Sequence, residues 1–262
     1  WYTQKQRERQ LDDHIDQTGK TNFGLVQLRS EEKKMEVLAH FNRVAPKYDF
    51  MNSFLSFGIQ HVWKRKAVRM LDLKPGQKVL DVCGGTGDLS ILAARKAGPS
   101  GRVVLYDINR AMINAGRQKI NSSGVKSRIK SIQGDAEELP FSDDRFDAAM
   151  VGFGIRNVTH MKKGFIEMHR VLKPDGKIMC LDFSKPTNRL FCFLYDFYSF
   201  NIMPFLGEMI LGSGTPYARL SESIRMFLLP HEISALLEEI GFKRIRRRNM
   251  TNGIASVHVG VK

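Results

Sequence analysis

Asp81-Val82-Cys83-Gly84-Gly85-Thr86-Gly87-Asp88 follows the apolar run Lys78-Val79-Leu80 and precedes a segment of helical composition, Leu89 to Ala97. An apolar strand that enters a glycine turn and then a helix makes a ligand cradle. Gly84, Gly85 and Gly87 let the backbone turn against a ligand without Cβ clashes. The turn also leaves backbone N–H groups and a helix N-terminus facing that ligand. No Gly-Lys-Ser/Thr follows to hold a triphosphate, and Gly84-Gly85-Thr86-Gly87 does not fit the G-x-G-x-x-G that approaches a pyrophosphate. A nucleoside without phosphates is therefore favoured, and S-adenosylmethionine is the ligand of that kind expected here.

Three further strand ends complete the expected site. Arg102-Val103-Val104-Leu105-Tyr106 ends in Asp107. A carboxylate about 20 residues beyond such glycines can accept hydrogen bonds from both ribose hydroxyls. Ser127 to Gln133 reads as a strand running into Gly134-Asp135-Ala136, where an acid and a small residue can meet an adenine amino group and ring. Asp135 also reads as an ordinary loop acid. Phe146-Asp147-Ala148-Ala149-Met150-Val151 is another strand, left at Gly152.

These ends must be positioned by a framework, and the remaining periodicity supplies one. Glu31 to Ala45 has helical spacing at Met35, Leu38, Phe41 and Ala45, and Phe57 to Leu71 reads as a second helix carrying Trp63. Both precede the first sheet strand and could roof the cofactor. His160 to Leu172 is a helix, Lys173-Pro174-Asp175-Gly176 a turn, and Lys177 to Phe183 a fifth strand. A final helix, His231 to Ile240, precedes strands at Arg244 to Asn249 and Ala255 to Val261. This alternation predicts a doubly wound, mostly parallel α/β sheet of seven strands.

Composition sets the surroundings. A chain of 262 residues can bury one sizeable core. Cys83, Cys180 and Cys192 are widely spaced and suggest reduced thiols of a cytoplasmic-type compartment. The seven histidines have no zinc-site spacing, so no metal is expected. The net charge of +14 is partly concentrated in Lys64-Arg65-Lys66, Lys162-Lys163, Lys243-Arg244 and Arg246-Arg247-Arg248. Such runs can attract anionic lipid or nucleic acid, or simply face water. Phe191 to Phe200 and Met203 to Leu211 are dense in aromatics and methionine but interrupted by Asp196, Pro204 and Glu208. They read as too short and broken to span a bilayer, and fit a greasy lid or substrate channel, or else an internal helix pair. Trp1 to Lys20 is polar and charged, without the apolar core of a signal peptide, and residues 1–22 are expected to form a flexible arm.

Taken in order, Phe41-Asn42-Arg43-Val44-Ala45-Pro46-Lys47-Tyr48-Asp49-Phe50-Met51-Asn52, Ser56-Phe57-Gly58-Ile59, Trp63-Lys64, the glycine segment, Arg156-Asn157-Val158, Arg170-Val171-Leu172-Lys173-Pro174, Phe183-Ser184-Lys185-Pro186, Tyr198-Ser199-Phe200, Glu222-Ser223-Ile224-Arg225 and Asn252-Gly253-Ile254-Ala255 resemble the ubiquinone/menaquinone biosynthesis C-methyltransferases. The resemblance runs from about Phe23 to Lys262 and includes segments outside the cofactor framework. It implies a Rossmann-like class I methyltransferase fold, with a single domain over 23–262, a helical cap at 31–71 and a substrate lid at 184–230. It implies C-methylation of a polyprenylated quinol, demethylmenaquinol to menaquinol and/or a 2-methoxy-6-polyprenyl-1,4-benzoquinol. Asp81, Gly84, Gly85, Thr86, Gly87, Asp107, Asp135, Ala136 and Gly152 are then the expected cofactor positions. Gly152 stands where the family often has serine, and the proline of Phe227-Leu228-Leu229-Pro230 comes later than in the family pattern. The resemblance also places the enzyme in the cytoplasm or peripherally at the inner face of a membrane (the matrix side in a eukaryote), as a homodimer or part of a quinone-biosynthesis complex, with no nucleic acid partner.

The chemistry asks little of the protein beyond alignment and exclusion of water, because a sulfonium methyl is already electrophilic. A phenol has a reference pKa near 10, and its anion pushes electron density onto the ring carbon, so partial deprotonation is the useful catalytic task. The resemblance puts Arg156 near the substrate, where it could stabilise the phenolate or order a water that takes the proton. A structural ion pair is an equal reading of that arginine. Asn157 and Tyr48 could orient the quinol oxygens. Asp182 and His258 are candidate bases or satisfied strand residues. Two other classes stay open: an RNA methyltransferase, although no stacking-rich or base-flipping segment is present, and a non-catalytic subunit of a quinone-biosynthesis complex.

Overall fold

The computed structural model describes residues 2–8 and 11–262, apart from the side chains of Lys5 and Leu211. Ahead of the sheet come α1 (Gln4–Glu8), α2 (Asp12–Thr18), an antiparallel hairpin of β1 (Lys20–Phe23) and β2 (Val26–Arg29), then α3 (Ser30–Val44), α4 (Tyr48–Leu55) and α5 (Ile59–Leu71). The sheet region follows as β3 (Lys78–Val82), α6 (Asp88–Lys96), β4 (Arg102–Asp107), α7 (Arg110–Ser122), β5 (Ile129–Gln133), β6 (Phe146–Gly152), α8 (Met161–Val171) and β7 (Leu172–Phe183). Three helices, α9 (Arg189–Phe197), α10 (Met203–Leu211) and α11 (Thr215–Met226), interrupt it before α12 (Pro230–Ile240), β8 (Lys243–Met250) and β9 (Ala255–Val261) close the chain.

The seven strands lie in the order β5-β4-β3-β6-β7-β9-β8. The first five are parallel, and β9 runs antiparallel to both its neighbours. Alternation explains the two layers of core. Val79, Ala148 and Met150 face α5 and α6, whereas Leu80, Ala149 and Val151 face α8 and α12. Leu80 is fully buried, a placement that contributes about 1.5–3 kcal/mol for a leucine. The reversal of strand order beside β3 puts the carboxyl ends of β3 and β6 at a topological switch point, where open α/β sheets bind ligands.

Several expected boundaries shift. The turn at Lys173 to Gly176 lies within β7 as a bulge, where pairing jumps from Phe146 opposite Leu172 to Ala148 opposite Lys177. The third strand begins at Ile129, because residues 126–128 form a short 3-10 turn. The β1–β2 hairpin and α4 have no counterpart in the sequence reading. Pro230 opens α12, a position where its missing N–H costs no helical hydrogen bond. Asp12 accepts N–H bonds from Lys162 and Lys163 at the start of α8, Ile15 is buried, and Arg7 pairs with Glu232 at 2.6 Å. The described part of the expected arm therefore has polar and apolar partners on α8 and α12.

The apolar segments after β7 require a correction. They do not break into two short pieces: residues 189–210 form one continuous 22-residue helical stretch, long and apolar enough to cross a membrane by length and composition. A π turn at Tyr198–Ile202 carries the chain between α9 and α10, and Pro204 falls in the first turn of α10, where proline is tolerated. Its inner face is held by protein. Ser221 donates to the Ser199 carbonyl at 2.6 Å, and Arg225 pairs with Asp196 while lying 4.7 Å from the Phe200 ring centroid.

Candidate active site

Strand β3 delivers the chain into the glycine turn with Asp81 beneath it. Asp81 is fully buried; its Oδ2 accepts a 2.6 Å bond from Ser90 on α6, and its Oδ1 has no partner. Burial pushes its carboxyl up to about 7. Gly84 is required by space, since a Cβ there would lie 2.8 Å from Leu105 Cγ. At the end of β4, Asp107 accepts the Gly85 N–H through Oδ2 at 2.8 Å and the Asn109 N–H through Oδ1 at 2.7 Å. A carboxylate has about four lone-pair sites, so Asp107 is fixed by the backbone and retains acceptor capacity. It lines a cavity with Gly85, Asp135, Ala136 and Gly152. Asp135 is ion-paired with Lys34 of α3 and accepts the Glu137 N–H at 3.0 Å.

The roof is tied to the turn by a charged cluster that the sequence reading missed. Thr86 donates its hydroxyl to Asp49 of α4 at 2.6 Å, and Lys119 of α7 meets Asp49 at 2.6 Å. Lys119 also pairs with Asp88, whose other oxygen takes Lys64 of α5 at 2.7 Å. Burial works against ionised Asp88, but the two lysines outweigh it and hold the carboxyl well below its usual range. Asp49 lies next to Tyr48 and Asp88 closes the glycine motif, so both stood in conspicuous segments; no periodicity announces their pairing. Gly152 is likewise explained by a neighbour: a Cβ there would lie 2.4 Å from Leu89 Cδ1. Leu89 fills the space that a serine side chain would use.

A second cavity shares Phe41, Tyr48, Cys83, Gly85, Gly152, Phe153 and Asn157 with the first. Arg156 lines it and is also an ion-pair partner: its Nη1 donates to Asp182 Oδ1 and to the Phe153 carbonyl, each at 2.6 Å. The Arg156 Nε and the Asn157 Nδ2 are buried without partners. Burial, partly opposed by Arg156, moves the Tyr48 hydroxyl up to about 12. Neither candidate base reaches the cavities. Asp182 is buried against Arg156 and the Phe183 N–H. His258 is buried on β9 with its Nε2 2.8 Å from the Pro230 carbonyl, where it serves as the donor. His40, on α3, lines the second cavity and was not singled out from sequence.

A third, apolar cavity of about 600 Å³ adjoins the second, sharing Asn52, Ser56, Trp63, Phe183 and Leu220 with it. Its volume falls within the 300–1,000 Å³ typical of small-molecule sites. Leu55, Val62, Phe191, Leu194 and Tyr198 give it an aliphatic and aromatic wall. Phe57, at its rim, is exposed, as are Leu190, Phe193, Phe197, Phe205 and Met209 outside it.

A model of the ubiE/COQ5 methyltransferase family matches residues 27–262. A "Ubiquinone/menaquinone biosynthesis C-methyltransferase UbiE" of Pseudomonas entomophila is 44% identical over 250 residues, spanning 95% of this chain and 97% of the relative. A protein of the same name from Stutzerimonas stutzeri is 43% identical over 242 residues, spanning 92% and 94%. Among solved structures, a SAM-dependent methyltransferase from Aquifex aeolicus superposes with a TM-score of 0.56 at 20% identity, covering 76% of this chain and 88% of that one. A SAM-dependent methyltransferase from Thermotoga maritima gives 0.58 at 18% identity, covering 86% and 99%. At such identities the structures establish the class I methyltransferase fold alone.

Proposed function

The chain belongs to the ubiE/COQ5 methyltransferase family, and from that premise we propose that it transfers a methyl group from S-adenosylmethionine to a ring carbon of a polyprenylated quinol in menaquinone or ubiquinone biosynthesis. The observation that carries this reading is the run of three adjoining cavities: one against Asp107 and Asp135, one against Arg156 and Tyr48, and one apolar. That sequence of surfaces suits a nucleoside, a phenolic ring and a hydrocarbon tail in turn.

The donor set fits the cofactor. Asp107 would accept from the ribose hydroxyls, Asp135 and Ala136 would border the adenine, and the orphaned Asp81 Oδ1 offers an acceptor to an ammonium group. Gly84, Gly85 and Gly87 admit the ligand to the backbone, Thr86 braces the turn through Asp49, and Gly152 floors it. The bound cofactor supplies the electrophilic sulfonium methyl. Arg156, with Nε uncommitted, would stabilise the phenolate or order the water that takes its proton, while Asn157 and Tyr48 orient the quinol oxygens. Because Asp182 already neutralises Arg156 at rest, charge developing on the substrate oxygen would meet a preorganised donor.

The exposed aromatic face of α9 and α10, together with the chain's net charge of +14, supports reversible attachment at the inner face of a membrane, where a lipid-soluble quinol resides. The decisive experiment is an anaerobic methyl-transfer assay of the isolated protein with short-chain benzoquinol, naphthoquinol and RNA. Methylation of a quinol ring carbon is expected. Methylation of RNA alone, or none without added protein partners, would reject the reading.

A further inference from the structure

The cavity beside Arg156 is rich in donors. Arg156 Nε and Asn157 Nδ2 lack partners, and Arg219 joins the same wall. Donors alone cannot choose the right oxidation state, because an oxidised quinone presents two accepting carbonyls and would satisfy them. Only the reduced ring carries O–H groups and a nucleophilic carbon. Selection for it requires a free acceptor on the ring's side of the cavity. Asp88 is committed to Lys64 and Lys119, and Asp81 takes Ser90 through Oδ2 while its free Oδ1 lies beneath the glycine turn, where the cofactor's ammonium group would take it.

His40 supplies the missing group. Its ring meets Phe23 edge-to-face at 5.9 Å and Phe41 at 5.0 Å, so it is held between two aromatic partners. Among the described residues, no protein group hydrogen-bonds to its nitrogens. Burial, reinforced by Arg156, Arg43 and Arg219, lowers its pKa to about 4, so the ring is neutral near pH 7 and carries one accepting nitrogen. The same positive charges favour the arrangement that turns the lone pair, the negative end of the imidazole dipole, toward them.

On the quinol-methylation reading above, we propose that His40 accepts a hydrogen bond from a hydroxyl of the substrate ring and makes this cavity selective for the reduced quinol over the oxidised quinone. The inference rests on that reading but adds a discriminating residue to it. A site built to pair with a substrate O–H is left with an unmet acceptor when the analogue lacks it.

His40→Phe retains the ring contacts and removes the acceptor; His40→Gln restores an accepting oxygen. The probes are a short-chain naphthoquinol and the matching naphthoquinone, assayed without oxygen, with cofactor binding as the check on folding. His40→Phe should raise the quinol KM about tenfold with kcat within about twofold, leave the quinone inhibition constant within about twofold, and His40→Gln should recover most of the loss. Equal weakening of both rings, or no change in either, would overturn the proposal. Wild-type protein that binds quinol more tightly than quinone yet transfers no methyl would count against the proposed reaction and leave the role of His40 standing.

Discussion

Around the glycine turn, on the side proposed for the cofactor, the cavity surface is backbone and polar side chain, fixed by further polar groups: Asp107 by the Gly85 and Asn109 N–H groups, Asp81 by Ser90, Thr86 by Asp49. Along α9 and α10 it is aromatic and aliphatic side chain, with Phe193 68% and Phe197 55% exposed on the outer surface. The first surface is complete within the chain, whereas the second presents apolar area that water does not stabilise. The contrast is between a polar surface braced within the chain and an apolar face that leaves area open to solvent.

The sharpest break falls where the two regions meet. Arg156→Ala should retain cofactor affinity and reduce single-turnover quinol methylation by about 10²–10³-fold, the usual effect of losing one preorganised donor. Arg156→Lys should recover little, because an ammonium lacks the planar fork that serves Asp182 and the substrate together. A wild-type chemical rate for Arg156→Ala at saturating substrate would reduce Arg156 to its ion pair and turn attention to Tyr48.

The next effect lies wholly within the cofactor side. Asp107→Ala removes a charged acceptor and also frees the Gly85 and Asn109 N–H groups, so cofactor affinity should fall by about 1.5–3 kcal/mol by calorimetry. Unchanged affinity in a folded variant would remove Asp107 from the site.

These two predictions differ in how far the sequence supports them, and the reason is physical. Strand ends, glycine turns and the acids that follow are local signals: β3, β4 and β6 fall within a residue or so of their expected spans, and Asp81, Asp107, Asp135 and Gly152 meet around one pair of cavities. Long-range pairings leave no such trace. The Thr86–Asp49 bond spans 37 positions and the Arg7–Glu232 pair 225. Lys33 is buried against the Val158 carbonyl although a lysine in a helical pattern reads as exposed. The helix across residues 189–210 was hidden because Asp196 looked like an interruption, when Arg225, distant in sequence, neutralises it.

The exposed face of α9 and α10 should yield a smaller effect confined to surfaces. Phe193→Ser with Phe197→Ser is expected to leave thermal stability nearly unchanged, since both rings are largely exposed, and to weaken co-sedimentation with anionic vesicles about tenfold. Raising salt should weaken the wild type further by screening the basic runs. Equal binding to anionic and neutral vesicles at low and high salt would assign the charge another purpose.

The smallest effect tests whether the cofactor side is as rigid as its hydrogen bonds imply. Gly152→Ser adds a Cβ that would stand 2.4 Å from Leu89 Cδ1, the far end of a flexible side chain that can rotate away. The clash should therefore cost only about 1 kcal/mol of stability, at the low end for overpacking. Its added hydroxyl could meanwhile donate to the cofactor, so affinity should change little or rise slightly. Leu89→Ala opens the same space from the other side. In the double variant the clash disappears, and the two substitutions should couple by about 0.5 kcal/mol or more in stability, as neighbouring residues sharing one space do. Strict additivity would show that Leu89 and residue 152 do not compete for that space. A loss of several kcal/mol would show instead that the floor of the site cannot relax, extending the rigidity of the Asp107 turn to β6.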